Sequence, residues 1–231
     1  YVFDPLRLQT ALQQAAQMEC PARIHIEVET GLNRTGFSAE QLKGVFPLLK
    51  NYEGHYVLEG LCTHLAGAES VSNYLRIQKQ IKEFHANHRW FLTQNLPPQR
   101  LHVACSAAIL TYPTTVLDMV RVGILQYGFW PSEETRIHHL VSVGKMSDNP
   151  LRRVIAWKSQ VMSLKDVQTG EYVGYGSSYL APKNLRVATV SIGYAHGYAR
   201  SLSTQGRVLI RGKRYPVIGV VNMNLILVRV S

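Results

Sequence analysis

The chain has 231 residues, of which 46% are hydrophobic and 17% charged, which excludes a disordered polymer and leaves ample apolar surface for one large domain or two small ones. No stretch approaches the roughly 20 uncharged apolar residues that cross a bilayer as a helix, so the sequence reads as soluble and without a membrane partner. The 25 Lys and Arg against 15 Asp and Glu leave +10, a balance that suits nucleic acid, an acidic surface or small anions.

In chain order, residues 4–17 are predicted as a helix and 23–28 as a short strand closed by a turn at Gly31. A second helix starts at an Ser38 N-cap, with Gln41 at the capping-box position and Phe37 and Leu42 placed as a hydrophobic staple. Its Leu42, Val45, Phe46 and Leu49 fall at helical spacing. The cycle repeats with a strand at 56–62, a long helix at 72–94 striped by Ile77, Ile81 and Phe84, a strand at 101–104, a short helix from Ser106 and a strand at 119–125. This alternation is the mark of parallel βα units. From 131 to 150 a polar stretch is expected to be helix-poor and to act as a linker. Beyond it the texture is all β, with strands expected at 157–165, 186–192, 207–210, 215–221 and 225–230, punctuated by Gly170, Gly197, Gly206 and Gly212.

Cys20, Cys62 and Cys105 are too few and too scattered for a disulfide framework or a zinc site, so no metal is expected and a reducing, cytoplasmic setting is. Four βα units cannot close a sheet on themselves, whereas a (β/α)8 barrel needs eight strands. The expected architecture is therefore α/β plus all-β: half of a TIM barrel at 1–135, with about four more units expected before Tyr1, then a β domain at 136–231.

In such units the carboxyl ends of the strands converge on a ligand. Those ends carry Glu27, Glu29 and Arg34, then Thr63 and His64, then Cys105 and Ser106, then Arg121, Gly123 and Ile124. Singly, each reads equally well as a structural residue: a hydrogen-bonded strand-end histidine, an N-cap serine, a turn glycine. Together they describe an anion site, since Ser106 opens a helix and Gly123 lets a second backbone approach closely. In the β half, VGYGSSY (173–179) and SIGYAHGY (191–198) each flank a tyrosine with glycine, which strips bulk from around the phenol. Such a tyrosine carries protons only where nearby positive charge lowers its pKa.

These segments, in order, resemble the alanine racemase family: IHIEVETGLNRTGF (24–37), GLCTHLAGAE (60–69), HVACSAAIL (102–110), DMVRVGILQYG (118–128), GEYVGYGSSY (170–179), VSIGYAHGYAR (190–200) and GKRYPVIGVVNMN (212–224). The resemblance implies a pyridoxal-phosphate enzyme of fold type III, an isomerase interconverting L- and D-alanine by a two-base Lys/Tyr mechanism in a homodimer with shared sites. Tyr175 aligns with the tyrosine that reaches into the partner subunit's site and exchanges the α-proton on the L face. Arg121 matches the arginine facing the pyridine nitrogen, with His64 hydrogen-bonded behind it, and Ser106, Gly123 and Ile124 match the phosphate cradle. Arg34 matches the substrate-carboxylate arginine, Met223 offers a backbone N–H beside that carboxylate, and Tyr194 corresponds to a tyrosine of the access channel.

An arginine at the pyridine nitrogen fits racemisation, because it has no proton to give and leaves the ring a weaker electron sink than a carboxylate partner would. The departures from the family are Glu27 in place of a lysine that is often carbamylated, Cys105 in place of asparagine beside Ser106, Asn224 in place of aspartate, and His196 in place of aspartate. Glu27 is expected to supply the carbamate's negative charge and orient Arg34 directly. The other three leave room for a wider range of small amino acid substrates. No lysine present (43, 50, 79, 82, 145, 158, 165, 183, 213) matches the family's cofactor-binding lysine, so this stretch alone is expected to be inactive. A non-catalytic ligand-binding relative is the other reading. Nucleic-acid binding through RGKR (211–214) and Arg152/Arg153 finds no accompanying motif.

Overall fold

The structure, a computed structural model, describes residues 1–144 and 149–231, so part of the expected linker, with Lys145, lies outside the described residues. The chain divides into two compact units, Tyr1–Ile155 and Ala156–Ser231.

The first unit opens with α1 (Pro5–Gln17), started by Asp4, whose side chain accepts the Arg7 N–H at 2.9 Å. Its Leu8, Leu12 and Ala15 form the buried stripe expected of an amphipathic helix. The strand β1 (Ala22–Glu27) follows, then α2 (Ala39–Asn51) with both halves of the Ser38/Gln41 capping box in place. Strand β2 (Tyr56–Cys62), helix α3 (Tyr74–Thr93) and strand β3 (Arg100–His102) complete a parallel sheet in the order β1-β2-β3. The buried stripe of α3 is Ile77, Gln80, Phe84, Asn87 and Phe91, and the expected Ile81 packs half-buried at its edge against the same core. One apolar core joins these helices to the strands. Burying a leucine or phenylalanine in such a core stabilises by about 1.5–3 kcal/mol.

Helix α4 (Ser106–Thr111) starts where expected, but the predicted strand 119–125 does not form. Only Arg121 pairs, through a single parallel bridge to Cys105. At Gly123 the backbone turns to φ −113°, ψ −97°, and a 3-10 turn, Ile124–Tyr127, takes over. The stretch expected to be helix-poor contains α5 (Glu133–Val143). Its signals stood in the sequence: Ser132 as N-cap bonding Thr135 reciprocally, two glutamates in the first turn, and Gly144 as a left-handed stop. The boundary expected after residue 135 falls inside this helix.

The second unit is an antiparallel five-stranded sheet in the order β4-β7-β10-β9-β8, formed by β4 (Val161–Val167), β7 (Leu185–Val190), β8 (Arg207–Ile210), β9 (Lys213–Ile218) and β10 (Ile226–Arg229). A two-residue ribbon, β5 (Tyr172–Val173) with β6 (Tyr179–Leu180), was not foreseen; it flanks the VGYG turn.

Candidate active site

The carboxyl ends of β2 and β3, the start of α4 and the segment 121–124 surround one open cavity of about 540 Å³ in the first unit. Its wall includes His64, Cys105, Ser106, Arg121, Gly123 and Ile124, six residues the sequence had scattered over 61 positions. Ser106 is buried, and its Oγ accepts the Gly123 N–H at 2.9 Å, which ties the start of α4 to the glycine turn.

Arg121 is the most constrained charge in the cavity. Its Nη1 donates to the His102 carbonyl at 3.0 Å and to His102 Nδ1; its Nη2 donates to the Thr63 and Val103 carbonyls. The imidazole behind the guanidinium is thus His102 and not His64, as expected from the sequence. β3 ends at His102, close to the bridge that carries Arg121, whereas His64 lies beyond the end of β2 and lines the cavity. Among the described residues no carboxylate pairs with Arg121, so its charge is left for a ligand acceptor.

Burial, then the neighbouring Arg121 and His25, push the His102 pKa down to about 4. Burial, followed by the Arg121 and Arg34 charges, also lowers that of His64. Both imidazoles are therefore neutral at pH 7. Because the folded His102 value lies below that of the unfolded chain, near 6.5, its contribution to stability is complete above pH 6.5 and is lost as pH falls toward 4. The loss is expected to reach about 3 kcal/mol. Urea unfolding at pH 7 and at pH 4.5 checks this, since His102→Gln should remove that part of the slope.

Arg34 stands on a loop after β1 that is held from several sides. Glu29 accepts the Gly31 and Asn33 N–H groups, Arg76 donates to the Gly31 carbonyl at 2.7 Å, and Thr30 and Thr63 join hydroxyl to hydroxyl at 2.7 Å. Glu27 does not bond Arg34 as expected. Its carboxylate accepts from Thr35 Oγ1 at 3.0 Å, so it acts on the residue next to Arg34 in the loop. Arg34 itself is exposed and has no acidic partner among the described residues.

In the second unit, Tyr175 opens a 3-10 turn and is 75% exposed. Gly174 at φ +79° and Gly176 at φ +67° make the turn tight enough to push the phenol outward, and Ser178 Oγ closes it on the Tyr175 carbonyl at 2.9 Å. Tyr194 and Met223, 29 positions apart in sequence, come together: Tyr194 N–H donates to the Asn222 carbonyl at 3.0 Å and Ala195 N–H to the Met223 carbonyl at 2.9 Å. His196 Nδ1 accepts the Gly193 N–H at 3.2 Å and so braces this turn.

Residues 1–131 match the family model for the alanine racemase N-terminal domain, and residues 154–231 the model for the C-terminal domain. The chain belongs to the alanine racemase family. Similar alanine racemases include that of Leptospira interrogans, 32% identical over 97% of this chain and 57% of that protein, and that of Desulforamulus reducens, 36% identical over 99% and 59%. Among solved structures, the alanine racemase of Streptomyces coelicolor superposes with a TM-score of 0.88 at 29% identity, over all of this chain and 58% of that one. The Bartonella henselae alanine racemase, solved with covalently bound pyridoxal phosphate, superposes with 0.73 at 26% identity, over 96% and 56%. The chain thus spans somewhat more than half the length of these alanine racemases, and its architecture is that family's: part of the barrel followed by the β domain.

Proposed function

We propose that the full-length protein is a pyridoxal-phosphate-dependent racemase that interconverts L- and D-alanine. The observation that carries this reading is the gathering of His64, Cys105, Ser106, Arg121, Gly123 and Ile124 around one cavity, with a guanidinium that has no acid partner among the described residues. The residues fit the cofactor: the Ser106 hydroxyl and the backbone N–H groups of Ser106 and Ile124 suit a phosphate, which would also take over the Gly123 N–H now bonded to Ser106 Oγ, and Arg121 suits a ring nitrogen that accepts a hydrogen bond.

Pyridoxal phosphate supplies an electron-withdrawing ring that makes the substrate α-proton removable. Arg121, permanently charged and unable to give up a proton, would donate to the ring nitrogen without protonating it and so would limit that withdrawal. Neutral His64 lines the cavity beside it, as does the Cys105 side chain. Arg34 pairs with the substrate carboxylate, held ready by the braced loop and by Glu27 acting through Thr35. The Met223 backbone N–H adds a donor there, and Tyr194 borders the access route. Tyr175 moves the proton on the L face, from a turn exposed enough to enter a partner subunit's site in a homodimer. Racemisation requires a second base on the opposite face.

The test is to supply the full-length protein with pyridoxal phosphate, confirm binding by absorbance, and follow loss of optical activity from L-alanine, with L-serine and L-lysine as alternatives. Alanine is expected to turn over fastest. Cofactor binding without exchange of any α-proton would overturn the assignment.

A further inference from the structure

Behind Arg121 a line of polar groups crosses the sheet toward its other end, and the assigned functions leave it unused. His102 Nε2 lies 2.8 Å from His25 Nδ1, and His25 Nε2 faces a Glu59 carboxylate oxygen at 3.7 Å. Arg23 holds that carboxylate at 2.7 Å and 3.2 Å, and Arg100 adds a contact at 3.5 Å. Two backbone devices serve the line. The β1–β2 ladder runs Ile24↔Leu58 and then His25↔Gly60, so Glu59 is the extra residue of a bulge, which re-aims its side chain. Gly60 gives the room: a Cβ there would sit 2.1 Å from His25 Nδ1. A plain surface ion pair between Glu59 and Arg23 needs neither the bulge nor the glycine.

The direction of the hydrogen bonds follows from the guanidinium. Arg121 can only donate, so His102 Nδ1 accepts; neutral His102 then carries its proton on Nε2 and donates to His25 Nδ1. That places the proton of neutral His25 on Nε2, aimed at Glu59. Every proton in the line points away from the cavity, and the line ends on a carboxylate that the Arg23 hydrogen bond holds below the usual carboxylate range.

We propose that Glu59 is a positioning residue for Arg121, acting through His25 and His102 as two neutral imidazoles of fixed tautomer. The carboxylate polarises both rings, makes His102 Nδ1 a stronger acceptor, and so sets how firmly Arg121 is held and how much of its charge reaches the cavity. The kinetic part rests on the function proposed above. The tautomer part does not.

The test uses the full-length protein with labelled histidine. Long-range proton–nitrogen spectra near pH 7 are expected to show His25 and His102 both protonated at Nε2 and bare at Nδ1. Glu59→Gln keeps an acceptor without the charge: it is expected to keep both tautomers, move the His102 Nδ1 resonance, shift the absorbance of bound pyridoxal phosphate, and lower kcat about tenfold with KM little changed. Glu59→Asp should restore part of each. A proton on His102 Nδ1 in the unaltered protein overturns the proposal. So does a Glu59→Gln protein that merely melts earlier while resonance, absorbance and kcat stay put. Should the tautomers and the resonance shift appear in a protein that does not racemise, the relay stands and the enzymatic reading fails.

Discussion

Tyr175→Phe in the full-length protein is expected to lower racemisation about a thousandfold, within the range that positioned acid–base groups supply. The phenol is 75% exposed and the turn is set by its glycines and by Ser178, so stability should move by no more than about 0.5 kcal/mol. The informative measurement is solvent deuterium entering each enantiomer separately. Exchange of the L-alanine α-proton should disappear while that of D-alanine survives. Equal loss from both enantiomers would mean that the turn positions substrate and does not carry the proton, and unchanged racemisation would remove Tyr175 from the mechanism.

Arg121→Leu is expected to fail in two separable ways. Removing the guanidinium leaves His102 Nδ1 and the Thr63, Val103 and His102 carbonyls without these donors, at about 1–3 kcal/mol for each that finds no other partner. It also removes the donor proposed for the cofactor ring nitrogen, which should cost about a hundredfold in kcat. Arg121→Lys separates the two, because a lysine keeps the charge yet cannot span carbonyls on both sides. Denaturant midpoints report the first effect, and absorbance and turnover of the loaded protein report the second. An Arg121→Lys protein that matched the original in both would show that the fork geometry is irrelevant.

Local chemistry was legible wherever a residue's neighbours in sequence decide its state. The Ser38/Gln41 box, the Asp4 start of α1 and the extent of β2 are of this kind. So is the turn that exposes Tyr175. Misreadings arose where polar composition hid a helix with good caps, as in α5, and where β-rich residues at 119–125 had only one bridge to make. Candidate residues could be proposed in sequence because several sit at strand ends or glycine turns and the rest fall in motifs shared with the family. Their partners could not: Glu27 bonds Thr35 rather than Arg34, and His102 rather than His64 backs Arg121.

An excess of ten positive charges left nucleic acid, an acidic surface and small anions all open, and it was the order of the motifs that pointed to one family. Which histidines answer to Arg121 was decided by where the parallel strands end. A bulge at Glu59 and a bare glycine at 60 bring positions 25, 59, 102 and 121 into one line. Sequence separation carries no information about such a line, because a hydrogen bond depends on distances of a few ångströms that only the folded sheet imposes.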